Sequence, residues 1–148
     1  MNSLIKIAFL ASTLITGSAF AASGNVDFLN TDKANLNLPF SQIVKAGNTL
    51  YMSGQIGINP ATGKLATGGF EGETKQTLEN IKRTLEMHNY SMSNIVKCTV
   101  MLTDINDFKA FNAIYTQYFS APYPARSAFA VKALALDSLV EVECIGAV

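Results

Sequence analysis

Leu78-Glu79-Asn80-Ile81-Lys82-Arg83-Thr84-Leu85, followed by Ile95-Val96-Lys97-Cys98-Thr99-Val100-Met101-Leu102, sets the fold class. In the first stretch Leu78, Ile81 and Leu85 recur at three- and four-residue spacing among Glu, Lys and Arg. No Gly or Pro interrupts it from Glu73 onward, so an amphipathic helix is expected from about Gly72 to His88. The second stretch is rich in β-formers and reads as a strand. Upstream, Gln42 to Ala46 and Thr49 to Ile56 partly alternate apolar and polar residues across a tight Gly47-Asn48 turn, the pattern of a β-hairpin. Strand, helix and strand in this order suggest a right-handed crossover with the two strands parallel.

Beyond this unit a second helix is expected from Asn106-Asp107, whose side chains can accept hydrogen bonds from unpaired amides of the first turn. Phe108, Phe111, Tyr115 and Tyr118 form an aromatic stripe at helical spacing, read as core packing against a sheet rather than a cofactor box. Pro122-Tyr123-Pro124 stops the helix. Two more strands, Ser127 to Val131 and Leu139 to Gly146, are joined through Leu134 to Ser138. The expected architecture is α+β: a two-layer domain with a mostly antiparallel mixed sheet and two helices on one face.

Composition and length agree with a single folded domain. The chain has 148 residues, 49% apolar and 15% charged, enough to bury a core. Its start, Met1 to Lys6, then an apolar run from Ile7 to Ile15 and small residues at Ala19 and Ala21, is the tripartite pattern of a secretory signal peptide. The apolar run is shorter than the roughly 20 residues needed to span a bilayer. The expected organisation is therefore a signal peptide over 1–21, an extended arm over 22–37 and the domain over 38–148. The mature protein would be exported, periplasmic or secreted, with no membrane span.

Lys and Arg number 11 and Asp and Glu 11; losing Lys6 with the leader makes this 10 against 11. No basic stripe is visible, which argues against a nucleic-acid partner. Cys98 and Cys144 each lie in an apolar stretch. Two buried thiols acting as small hydrophobes is the preferred expectation, with one disulfide as the alternative in an oxidising compartment.

Candidate chemistry sits near the C-terminus. In Val140-Glu141-Val142-Glu143-Cys144 side chains alternate faces, so Glu141 and Glu143 share one face, roughly 7 Å apart, opposite Val140, Val142 and Cys144. Alone, this fits a sheet face open to water. Arg126 follows the proline-stiffened loop where a strand begins, and a guanidinium there can hold a planar carboxylate by two parallel hydrogen bonds. Alone, it reads as a surface arginine.

Taken together, Pro39-Phe40-Ser41-Gln42, Ser53-Gly54-Gln55-Ile56, Asp104-Ile105-Asn106-Asp107-Phe108, Asn112, Pro124-Ala125-Arg126-Ser127 and Val140-Glu141-Val142-Glu143 resemble the RidA/YjgF family in order and spacing, over roughly residues 36–148. The Pro-Ala-Arg-Ser block with its downstream Glu is the specific part. The resemblance implies a chorismate-mutase-like fold that assembles as a homotrimer, with the open sheet faces turned inward and three clefts between subunits. It also implies hydrolysis of small 2-imino acids and their enamine tautomers, such as 2-iminopropanoate or 2-iminobutanoate, to 2-keto acids and ammonia, with no metal or organic cofactor.

By the same resemblance Arg126 clamps the substrate carboxylate and Glu141 positions or activates water and shuttles a proton. Ser53 and Gly54 line the cleft, and Asn112 lies near it. Phe40 stands where many active members carry tyrosine. Ala128 stands where cysteine is often found, so that position would contribute through its backbone carbonyl. The alternative function is a cofactor-free protein that binds or senses small carboxylates in the same clefts without catalysis.

Overall fold

A computed structural model describes residues 25–30 and 38–148 of the chain. The leader expected over 1–21 and most of the arm lie outside the described residues. The elements, in order, are β1 (Val26–Leu29), β2 (Ile43–Ala46), β3 (Thr49–Met52), β4 (Gln55–Ile56), β5 (Ile58–Asn59), β6 (Lys64–Leu65), α1 (Gly69–Met87), β7 (Ile95–Leu102), α2 (Phe108–Tyr118), β8 (Ala125–Ala130) and β9 (Val140–Ala147). The main sheet runs β1-β2-β3-β9-β7-β8, with β4 also paired to β9. Among the described residues only β7 and β8 are parallel neighbours; the other pairs in this sheet are antiparallel.

The helices cover one face of the sheet. Leu78, Ile81 and Leu85 of α1 and Phe111, Ile114 and Tyr115 of α2 form a core with Ile43, Leu50, Val100, Val140 and Val142 from the sheet. The fold class is therefore as the periodicities indicate. The apolar period of 3.6 on α1 and α2 and of 2 on β9 each direct one side to a shared interior.

Four details differ from expectation. Strands β3 and β7 do run parallel, each being antiparallel to β9, but β9 lies between them, so the adjacent parallel pair is β7 and β8 across α2. Part of the arm is regular: β1 pairs with β2 and forms one edge of the sheet. The second arm of the expected hairpin is two strands, broken at Ser53-Gly54. Tyr51 pairs with Ile145 and Gln55 with Val142, so four steps on one strand match three on β9. One residue is extra, which makes the break a β-bulge, a device that re-aims side chains beside functional sites.

The fourth difference concerns the cysteines. Cys98 and Cys144 are paired opposite each other on β7 and β9, and their sulfurs are bonded in a disulfide. The preferred expectation of two free thiols is wrong. Both residues were correctly placed in apolar surroundings, but sequence spacing could not reveal that they are cross-strand neighbours with Cα atoms 4.1 Å apart.

Candidate active site

Residues singled out in the sequence fall into two groups. Phe40, Ser53, Gly54 and Glu141 line one cavity of about 820 Å³. Its base is the β4–β9 pair, in which Ile56 lies opposite Glu141. The bulge is fixed from the side: the Ser53 hydroxyl donates to the Ser41 carbonyl at 2.7 Å, and the Ser53 amide donates to the Gln42 carbonyl at 3.0 Å. Those bonds tie the Phe40 segment to the bulge, and Gly54 is left facing Glu141.

Glycine at position 54 has a steric reason. A Cβ built there would overlap the Glu141 carboxylate, its nearest contact being Oε1. The carboxylate thus lies directly against the backbone of the bulge. Partial burial, and after it the negative charge of Glu143, holds the Glu141 carboxyl above the usual range for glutamate. A carboxyl group in this position can take up and return a proton as a general base and acid.

Arg126, Asn112 and Ala128 form the second group, and it lies elsewhere. Arg126 and Ala128 are half-buried residues of β8, which forms the opposite edge of the sheet from β1. The Arg126 Nη2 donates to Asn112 Oδ1 on α2 at 2.6 Å. Its guanidinium carbon sits 4.7 Å from the ring centroid of Tyr115, 5.5 Å from Phe108 and 5.6 Å from Phe111. Such cation–π contacts fix the plane of the guanidinium without neutralising it. Among the described residues no carboxylate forms an ion pair with Arg126.

Strand register shows how far apart the two groups are. Arg126 pairs with Cys98, and Cys98 pairs with Cys144, so these three side chains share the helix-covered face. Glu141 is three residues from Cys144 along β9, on the open face. With about 3.3 Å per residue and about 4.8 Å between strands, the Arg126 and Glu141 backbones are roughly 14 Å apart. A small carboxylate cannot bridge them within one chain.

The aromatic stripe has two roles, of which its spacing shows one. Phe111 and Tyr115 are core residues as expected, and with Phe108 they are also the floor under Arg126. The signal was their spacing on α2 together with an arginine at the start of the next strand. Leu136 and Ile58, which line the Glu141 cavity, carried no sequence signal. Among the described residues no group of three or more His, Cys, Asp or Glu side chains could hold a metal ion, and no helix is long and apolar enough to cross a membrane.

Comparison with known proteins is consistent over most of the chain. The family model described as "Endoribonuclease L-PSP" matches residues 32–148. A curated relative, "Reactive Intermediate Deaminase A, chloroplastic" of Arabidopsis thaliana, is 40% identical over 144 residues, covering 97% of this chain and 77% of the relative. "2-Iminobutanoate/2-iminopropanoate deaminase" of Homo sapiens is 46% identical over 107 residues, 72% of this chain and 78% of the relative. Among solved structures, RidA from the Antarctic bacterium Psychrobacter sp. PAMC 21119 superposes with a TM-score of 0.73 at 38% identity, covering 86% of this chain and 99% of that one.

Proposed function

Because the chain belongs to the RidA/YjgF family, we propose that it is an enzyme hydrolysing 2-imino acids such as 2-iminopropanoate and 2-iminobutanoate to 2-keto acids and ammonia. Relatives sharing 40% and 46% of aligned residues carry deaminase names. The observation that carries the mechanism is that one chain holds two finished half-sites on opposite sheet faces. Arg126 is braced with its charge unspent, and Glu141 is seated in a cavity with its carboxyl partly desolvated.

The half-sites are completed between subunits of a homotrimer, the Arg126 of one protomer reaching the Glu141 cavity of the next. Further support comes from the open face. Phe28, Val44, Tyr51 and Ile145 lie in register across it, and Phe28 and Tyr51 are 70% and 51% exposed in the single chain. An exposed apolar row of this kind favours burial against another copy of the chain.

In the completed site Arg126 holds the substrate carboxylate and fixes the imine carbon against the bulge. The imine nitrogen is protonated, which makes that carbon electrophilic. A water activated by Glu141 adds to it, its proton passing to the carboxylate. The resulting carbinolamine carries hydroxyl and amine on one carbon. Glu141 returns the proton to nitrogen, the C–N bond breaks with its electron pair leaving as ammonia, and the hydroxyl proton is lost as the keto group forms. Orientation of this kind can lower the barrier by several kcal/mol, and acid–base assistance adds about 10²–10⁴-fold.

The protein acts outside the cytoplasm on this account. The leader pattern supports export, and a disulfide between Cys98 and Cys144 is the kind of bond that persists in an oxidising compartment. Phe40, without a hydroxyl to offer the cavity, favours a second reading in which the same site binds small carboxylates without turnover. Following iminopropanoate decay with and without the protein separates the two. Acceleration that disappears in Glu141→Gln supports hydrolysis; 2-ketobutyrate binding without acceleration supports the binder.

A further inference from the structure

Within one chain the Glu141 cavity is larger than the smallest imino acids require. Its volume of about 820 Å³ lies within the range of roughly 300–1,000 Å³ typical of pockets for drug-sized ligands. It continues past the end of the β4–β9 pair. On one side Ile58 follows Ile56, the residue opposite Glu141; on the other, Leu136 lies five residues before Glu141. Leu38 also lines this region. Leu38, Ile58 and Leu136 thus add apolar surface to a lining that also holds Asn80, Arg83 and Thr84.

Leu136 is the unusual residue there. Its backbone is left-handed, with φ 57° and ψ 26°, and Asp137 follows with φ 57°. Glycine or asparagine would adopt that conformation more readily than a branched apolar residue. The side chain gains little from the fold in return, being 67% exposed. A strained, exposed leucine at a cavity rim points to a contact with something that enters the cavity.

The turn that presents Leu136 is held firmly. The Ser138 amide donates to the Ala135 carbonyl at 3.1 Å, and Ser138 is buried. The Leu139 amide donates to Oε2 of the buried Glu73 on α1 at 2.8 Å. Glu73 in turn packs against Gly57, where any Cβ would strike its backbone. Across the cavity, Asn80 donates to the Ile56 and Ile58 carbonyls at 3.1 and 2.9 Å. Both walls are thus pinned to α1, as a subsite that discriminates by shape requires.

We infer that Leu136, with Leu38 and Ile58, forms a subsite for the side chain of the imino acid, and that the enzyme favours imines with bulky apolar side chains over 2-iminopropanoate. The inference rests on the imino-acid reaction proposed above and assigns its specificity. In the assembled enzyme Arg126 would hold the carboxylate and the side chain would extend toward Leu136, Leu38 and Ile58.

The test is kcat/KM for imines generated in situ by an amino-acid oxidase from leucine, phenylalanine, alanine and glutamate. The leucine or phenylalanine imine should exceed the alanine imine by about tenfold or more, as added apolar groups in a fitted pocket do. Leu136→Gly and Leu136→Asn, both tolerant of a left-handed backbone, should bring that ratio close to one by lowering kcat/KM for the leucine and phenylalanine imines, and should not lower Tm. A wild-type ratio of one or less, a ratio unchanged in both variants, or a preference for the glutamate imine directed by the cavity residue Arg83 would each overturn it. If no imine were hydrolysed, the reaction itself would be refuted. The subsite would then be read by calorimetry, where 4-methyl-2-oxopentanoate must bind about tenfold tighter than pyruvate and equal binding would reject it.

Discussion

Arg126 and Glu141 lie on opposite faces of one sheet, linked through the Cys98–Cys144 pair: Arg126 is level with both cysteines, and Glu141 is three residues along β9 from the second. An odd number of steps along a strand reverses the face. Each residue is nevertheless prepared for use. Asn112 and three aromatic rings brace the guanidinium, and the Ser53-Gly54 bulge seats the carboxylate.

Replacing Arg126 separates charge from geometry. Arg126→Ala should raise KM steeply and cut turnover, and Arg126→Lys should recover little because the planar fork is lost. Asn112→Ala should cost about tenfold in kcat/KM, equivalent to about 1.4 kcal/mol for one bond to a charged group, while leaving Tm nearly unchanged. Steady-state kinetics on an alanine-derived imine check this. A fully active Arg126→Ala variant would remove the clamp from the account.

Gly54→Ala tests the seat of the carboxylate. The added methyl group must displace Glu141, so turnover should fall at least as far as in Glu141→Gln, with the fold intact by circular dichroism. Wild-type kinetics in Gly54→Ala would mean that Glu141 need not occupy this position.

Activity should depend on pH through Glu141. The carboxyl is held above its ordinary range by burial and, secondarily, by Glu143. As a base it works only when ionised, so kcat/KM should rise with pH through that raised value. Glu143→Gln removes the like charge and should move the acid limb of the profile to lower pH. An acid limb that stays in place in Glu143→Gln would show that Glu143 does not act on the titrating group.

Much of the fold could be read in the chain because periodicity reports which side of an element is buried. Leu78, Ile81 and Leu85 located α1 to within a few residues, and the alternation in β9 put Glu141 and Glu143 on the open face. The remaining features depend on neighbours distant in sequence. The Cys98–Cys144 bond needs the register between β7 and β9, the bulge needs the register of both β3 and β4, and the seat of Arg126 on Tyr115 needs α2 packed beside β8. Leu136 shows its meaning only through a backbone angle.

Disulfide removal should be costly. Cys98 and Cys144 are 46 residues apart, and closing a loop of that size stabilises the folded state by about 4 kcal/mol in the chain-entropy model. Cys98→Ala/Cys144→Ala should lower the denaturant midpoint accordingly, and a midpoint equal to wild type would contradict a disulfide in the native protein.

If Arg126 and Glu141 act together only across a subunit boundary, mixing subunits must restore activity to two inactive variants. Arg126→Ala and Glu141→Gln chains, each inactive alone, are co-expressed at equal levels and the mixed oligomers purified. In a closed trimer that holds both chains, one cleft of the three pairs a native Glu141 with a native Arg126 from the neighbouring subunit, so about one third of wild-type activity should return. No recovered activity in confirmed mixed trimers would contradict the account.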